Sequence, residues 1–332
     1  MIFTPIPHIS KGGQIFDDYI APKESLYIKG IFVILVLLSH FSGYIVLSDS
    51  LADYSFNIIR GYLGQFIVTM FFFYSGYGIF ESVKRKGKLY IQSFPKKRLF
   101  FVWLSFAVCV NFFLIGGWLL GNTFSSKQIV LSYIAWDNLG NSNWFMFVTF
   151  GIYVIFFCVY IFAKDTQSLK GLLSFTILIG LFSVVLFLVK EKYWWWDTAI
   201  CFPLGMWFSR YKMQIEEYIK QKKFMGIVLF VAVVIGFLLL FYVTIKYTHI
   251  FYPISACLFC LIIVMLTMKI KIRNPILAFF GKHVFSIYML QRLWYIPLSK
   301  LNMNCYLFFL ISISLTIISA MLFDCLMKKI KF

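Results

Sequence analysis

Ten apolar runs, each near the length of one bilayer crossing, dominate this chain. They lie near 28–47, 62–80, 99–121, 144–163, 171–189, 194–209, 224–245, 250–268, 275–297 and 304–326. A helix needs about 20 consecutive apolar residues to cross the hydrocarbon layer. Backbone polar groups have no water to bond there, so such runs cross as helices. The pattern predicts an all-α, polytopic membrane bundle of about ten transmembrane helices. The sixth run is short, and the ninth is interrupted by Gly281-Lys282-His283 and Gln291-Arg292. Residues 1–27 read as a cytoplasmic N-terminal arm, 28–326 as one membrane domain and 327–332 as a cytoplasmic tail. No soluble domain and no internal repeat stands out. The composition agrees, with 61% hydrophobic residues and 13% charged, against about 25% charged in soluble domains.

The net charge of +18 would suggest nucleic acid in a soluble chain. Here the cations crowd alternate loops. With ten spans, 23 Lys and Arg fall on the side holding both termini and 6 on the other, while Lys282 and Arg292 lie within the ninth run. This is the positive-inside pattern, and it places both termini in the cytoplasm. No nucleic-acid partner is expected. The N-terminus lacks the layout of a cleavable signal peptide. All seven cysteines sit within or beside apolar runs, and none shows zinc-ligand spacing. Neither a disulfide nor a metal is expected. Trp118, Trp144, Trp194, Trp195, Trp196 and Trp294 fall at the far ends of spans, as an interfacial belt does. The Trp194–Trp196 cluster has a second reading as the floor of a sugar-binding cleft.

An ionisable side chain in hydrocarbon is costly and is by default a functional candidate. His40 stands 11 residues after Lys29, roughly 16 Å along a helix and near mid-membrane. It reads as a general base, or as a core His satisfied by Ser39, Ser42 or Tyr44. Asp197, beside Trp196, either orients an acceptor hydroxyl or an imidazole, or caps a helix. Asn143, in Asn141-Ser142-Asn143, is a helix cap or an acceptor contact. Arg292 binds an anion within the bundle or snorkels outward. Asp324 reads as an ion pair with Lys328, and Glu81 as one with Lys84 or Arg85. The dense cations from Lys84 to Arg98 set topology. They would also suit donor phosphates or anionic lipid headgroups, with Arg98 placed to point into the bundle.

Several stretches together resemble acyltransferase family 3, the integral membrane acyltransferases of surface polysaccharides and lipids. They are Lys29-Gly30 leading to Ser39-His40; Phe71-Phe72-Phe73-Tyr74-Ser75-Gly76-Tyr77; Phe94-Pro95-Lys96-Lys97-Arg98; Asn143-Trp144-Phe145; Phe202-Pro203-Leu204-Gly205-Met206; and Gly281 through Ser286-Ile287-Tyr288. They run in the family's order from about 25 to 292. Three positions depart from it. Lys29 stands where Arg is usual and lacks the bidentate fork. Phe101 stands where a second Arg is common, and Gln291 where His often occurs.

The resemblance implies transfer of an acyl group, often acetyl, from a cytosolic acyl-CoA to a sugar hydroxyl. The acceptor would be a surface polysaccharide or a glycan linked to lipid. His40 would be the catalytic base. Lys29, Lys97 and Arg98 would hold the donor, and Asp197, Asn143 and Trp196 the acceptor. Acyl-CoA would be a co-substrate, with no metal. The expected partners are acyl-CoA, a glycan or glycolipid and membrane lipids, and the expected location is the inner (cytoplasmic) membrane. A transporter or lipid-linked sugar flippase, with His40 and Arg292 on its path, is the alternative, although transporters more often carry repeats.

Overall fold

The computed structural model describes residues 7–10, 14–46, 50–301 and 303–330. Lys11 and Lys331, counted above with the cytoplasmic cations, lie outside them. The described chain is almost wholly helical. Its helices are α1 (Pro22–Phe41), α2 (Leu51–Leu63), α3 (Phe66–Phe94), α4 (Phe101–Leu119), α5 (Ser126–Tyr133), α6 (Trp144–Ile161), α7 (Leu169–Val189), α8 (Cys201–Gln221), α9 (Lys223–Lys246), α10 (Tyr252–Lys269), α11 (Pro275–Lys282), α12 (Val284–Leu298) and α13 (Cys305–Ile330).

Among the described residues, seven segments are long and apolar enough to cross a membrane, and one of them runs unbroken from α3 through α4. The expected count of ten therefore does not follow from length and apolarity alone. The sixth run becomes the first half of α8, which starts at Cys201 and continues into the charged stretch Arg210–Gln221. The ninth divides at His283 into the short α11 and α12. The basic stretch expected to be a loop is helical. α3 bends at Gly87, whose φ of 53° belongs to a residue without Cβ. It then enters a π-helical turn, Pro95–Phe100. Pro95 lacks the amide hydrogen an α-helical ladder needs, and a wide turn absorbs that loss.

Two helices were not foreseen. α2 begins at Ser50, whose hydroxyl accepts from the Asp53 amide at 3.2 Å. It buries none of its residues and exposes Leu51, Tyr54, Ile58, Ile59 and Tyr62. Its spacing of three and four residues is that of an interfacial helix. α5 is a short connector on the same side. The N-terminal arm also has structure: Pro7–Ile9 pairs antiparallel with Ile270–Ile272, placing His8 opposite Lys271. Asp18 bonds Lys271, and Glu24 accepts from Arg273 at 2.8 Å. The Lys271 bond holds the Asp18 carboxyl below the usual carboxylate range, and the Glu24 bond raises Arg273.

Two pairs of glycines set the inner helices. A Cβ on Gly76 would strike the Phe202 carbonyl, and one on Gly205 the Phe73 carbonyl. Gly30 meets Leu277 and Gly281 meets Leu26 in the same way. Such contacts let α3 approach α8, and α1 approach α11, backbone to backbone, as small residues do in membranes. All four glycines belong to the stretches that resemble the family. α9, by contrast, buries none of the core of its span and forms an outer wall.

Candidate active site

His40 occupies the last turn of α1, since the helix begins at Pro22 and ends at Phe41. The mid-membrane estimate counted from Lys29; the helix starts seven residues earlier, so His40 lies at the end away from the basic residues. Its ring packs 6.1 Å from the Tyr288 ring, and Gln291 and the Arg292 charge flank it, all on α12. None of the expected local partners holds the ring. Ser42 instead donates to the Ser39 carbonyl at 2.8 Å.

What marks this region is the number of buried polar atoms left without a hydrogen bond. They include His40 Nδ1, Tyr288 Oη, Gln291 Oε1, Arg292 Nε, Ser142 Oγ and Asn141 Nδ2. Ser142 faces Tyr288, so the 137–143 loop joins the cluster. Buried polar groups are normally paired, and an orphan costs about 1–3 kcal/mol. The six make up a polar cluster, in which Gln291 lies beside the His40 ring and Ser142 beside the Tyr288 hydroxyl. The sequence signal for it was the Gln291-Arg292 interruption and the Asn141-Ser142-Asn143 patch. Tyr288 was visible only as part of a motif.

The second group lies near the start of α1. Lys29 Nζ stands 5.3 Å from the centre of the Tyr74 ring. Arg98, exposed on the π-turn, acts electrostatically on both Lys29 and Tyr90. The Tyr74 hydroxyl is buried without a hydrogen-bond partner, and the Tyr90 hydroxyl lies beside Arg98 and Ser82. Arg98 is thus close enough to act on Lys29, but it is exposed rather than pointing into the bundle. Lys97 is exposed on the same turn. The two groups share α1: Lys29 and His40 are 11 residues apart, about 20° around the axis and roughly 16 Å along it. Aromatic rings bridge them. One turn before Tyr74 on α3, Phe71 lies 6.4 Å from Phe145, which lies 5.5 Å from Tyr288.

The expected acceptor residues do not gather at His40. Asn143 spends its amide on the Ala135 and Asp137 carbonyls, at 3.1 and 3.0 Å, and braces the loop that carries Ser142. It occupies the cap position of α6 without a side-chain cap bond. Asp197 is fully buried and pairs with His249 at 3.3 Å, neither capping α8 nor reaching His40. The His249 ring is sandwiched between Tyr193 at 4.2 Å and Tyr252 at 4.6 Å. Trp196 is buried edge-on against Phe187 and His249, so its faces are not offered to a sugar. His249 was missed because a lone His between two runs carries no pattern. Asp324 pairs with His283 rather than Lys328, tying α13 to the α11–α12 break. Glu81 does pair with Lys84, at 2.7 Å, and also accepts from Ser209 at 2.7 Å, which ties α3 to α8. All seven cysteines are free.

A bundle of apolar helices enclosing unpaired polar groups, with neighbouring cations toward the opposite end, defines an integral membrane protein with an internal reaction or transfer site. The chain belongs to acyltransferase family 3: the family's acyltransferase domain matches residues 26–325, nearly its whole length. This makes it a membrane acyltransferase, and nothing favours transport. No curated protein and no solved structure matches the chain.

Proposed function

We propose that this enzyme transfers an acyl group, acetyl by preference, from a cytosolic acyl-CoA to a hydroxyl of a surface glycan or lipid-linked glycan. Its place would be the cytoplasmic membrane, with both termini inside, as the charge pattern favours. The observation that carries this reading is the polar cluster around His40, whose helix α1 also carries Lys29, the residue that Arg98 acts on. In this reading Lys29 and Arg98 hold donor phosphates at the cytoplasmic mouth, with Lys97 adding charge. The pantetheine arm then runs along the face of α1 toward His40.

His40 accepts the proton of the acceptor hydroxyl as its oxygen attacks the thioester carbonyl. The carbon–sulfur bond breaks, and the imidazolium returns the proton to the departing thiolate. The products are an ester and a free thiol. The oxygen that gains charge in the tetrahedral state needs donors. Tyr288 and Ser142 are the buried hydroxyl donors at hand. Asp197, Asn143 and Trp196 act in support, by bracing the walls that the acceptor meets.

The test is His40→Gln in purified protein given radiolabelled acetyl-CoA and envelope glycans. Gln retains hydrogen bonding but not proton chemistry, so transfer should fall about 10²–10⁴-fold while thermal stability holds. Transfer retained in a stable His40→Gln protein would return His40 to a packing role.

A further inference from the structure

We infer that the cleft between the far ends of α4 and α12 binds the hydrocarbon chain of a single-chain lipid phosphate, with Arg292 engaging the phosphate. This rests on the transferase reading above and names the acceptor's anchor. The cleft has a volume of about 350 Å³ and is walled by Ile115, Gly116 and Leu119 of α4 and by Leu293, Ile296 and Pro297 of α12. Leu139 closes one side. Leu119 is 83% exposed and Ile115 52%. On the outer surface of a membrane bundle those side chains face lipid tails. Asn122 and Trp294 add an amide and an indole to the lining, but most of it is aliphatic or phenyl and suits a methylene chain.

The inner boundary supplies the charge. Ile296 touches the space above Gly140, so a single loop separates the apolar cleft from Asn141 and Ser142. Arg292 lies one helical turn before Ile296, on the same side of α12. Its Nε is buried and unpaired, and its charge reaches the His40, Tyr44 and Tyr288 side chains. A guanidinium there matches a phosphate geometrically. The cleft and the polar cluster thus lie on the two sides of that loop, and in this inference the tail sits in the cleft and the headgroup beside His40. Two helices and a loop bound too narrow a volume for a two-chain phospholipid. A chain seated there would hold the attached sugar at the base, at high effective concentration.

The test uses a benzophenone-bearing prenyl phosphate with the intact protein in phosphatidylcholine nanodiscs, and needs no transfer activity. Cross-links should map to peptides covering 112–120 and 293–297. Unlabelled prenyl phosphate should compete at least tenfold better than the matching prenol. Leu119→Trp, at an exposed rim position, should cut labelling tenfold or more without changing the melting temperature. Gly116→Leu, whose Cβ would meet only the end of the Leu293 side chain, serves if the first variant is unstable. Arg292→Gln should erase the preference for phosphate over alcohol. Equal competition by phosphatidylglycerol would make the cleft a seat for bulk lipid and overturn the inference. So would labelling elsewhere, or labelling insensitive to both blocking variants. Loss of transfer in His40→Gln with labelling intact separates failure of the base from failure of the cleft.

Discussion

Replacing either cation of the Lys29–Arg98 pair should stabilise the empty protein and weaken its hold on the donor. The two positive groups interact across the mouth, and no carboxylate forms a salt bridge to either among the described residues. Like charges held together destabilise the unliganded fold, and an incoming polyphosphate relieves the strain. Arg98→Gln removes at least one charge-assisted hydrogen bond, worth about 1.5–3 kcal/mol. At 1.4 kcal/mol per decade, the donor KM should rise about 10–150-fold while kcat changes little. Lys29→Met should weaken the donor in the same direction, and it gives up the contact of the ammonium with the Tyr74 ring. The double variant should fall short of the product of the two effects, because both cations address one ligand. The assay is donor KM in nanodiscs, paired with the melting temperature with and without coenzyme A. A lower melting temperature of the empty Arg98→Gln protein, with donor KM unchanged, would refute the reasoning and leave Arg98 a topology determinant.

Gly76→Ala should destabilise by about 1–3 kcal/mol or more, because its Cβ meets the Phe202 carbonyl and backbone cannot step aside. Gly78→Ala, two residues on with open space around it, should be neutral or stabilising in the same thermal unfolding experiment. His249→Ala leaves the Asp197 carboxyl buried without its partner and should cost about 3–5 kcal/mol; restoration of stability by Asp197→Asn in that background is the expected rescue. Asp18 is held below its ordinary value of 3.8 by Lys271, so its contribution is complete above that pH and fades as pH falls through the lower folded value. Peptic nicking of the N-terminal arm should therefore rise as the pH is lowered below about 3.8 in wild type, and this acid-triggered rise should be absent in Asp18→Asn.

The apolar runs made the membrane class legible, and most boundaries follow them closely. The fourth run, 144–163, is α6 at Trp144–Ile161, and the seventh, 224–245, is α9 at Lys223–Lys246. Hydropathy failed where helices bury polar residues against protein rather than lipid. α8 and α11–α12 are central to the packing yet too short or too polar to qualify as spans. Packing against neighbours satisfies what lipid cannot, so interruptions such as Gln291-Arg292 mark the interior. Lys29 and Arg98 stood out because motifs carry them. Asp197 stood out as an acid beside Trp196, read as a cap or as orienting an acceptor or imidazole, but not as the partner of His249, since a contact across 52 residues leaves no local trace.

In the proposed reaction, the arrangement on α1 constrains the donor by shape as well as by charge. A single helix fixes Lys29, the proposed donor cation, and His40, the proposed base, about 20° apart around its axis and roughly 16 Å apart along it. No hinge lies between them, as α1 is continuous from Pro22 to Phe41. The phosphates and the reactive carbonyl of one donor must therefore be separated by about that length. A short acyl phosphate meets only one of the two sites at a time, whereas a thioester on a long, thin arm meets both. The intervening positions on that face, Val33 and Val36, are slim and apolar, and both are buried. Both are packed against the core, so an arm passes along α1 only as their neighbours shift. In the proposed reaction, selection of an acyl-CoA rests on the rigidity of this helix, with Lys29 toward one end and His40 at the other.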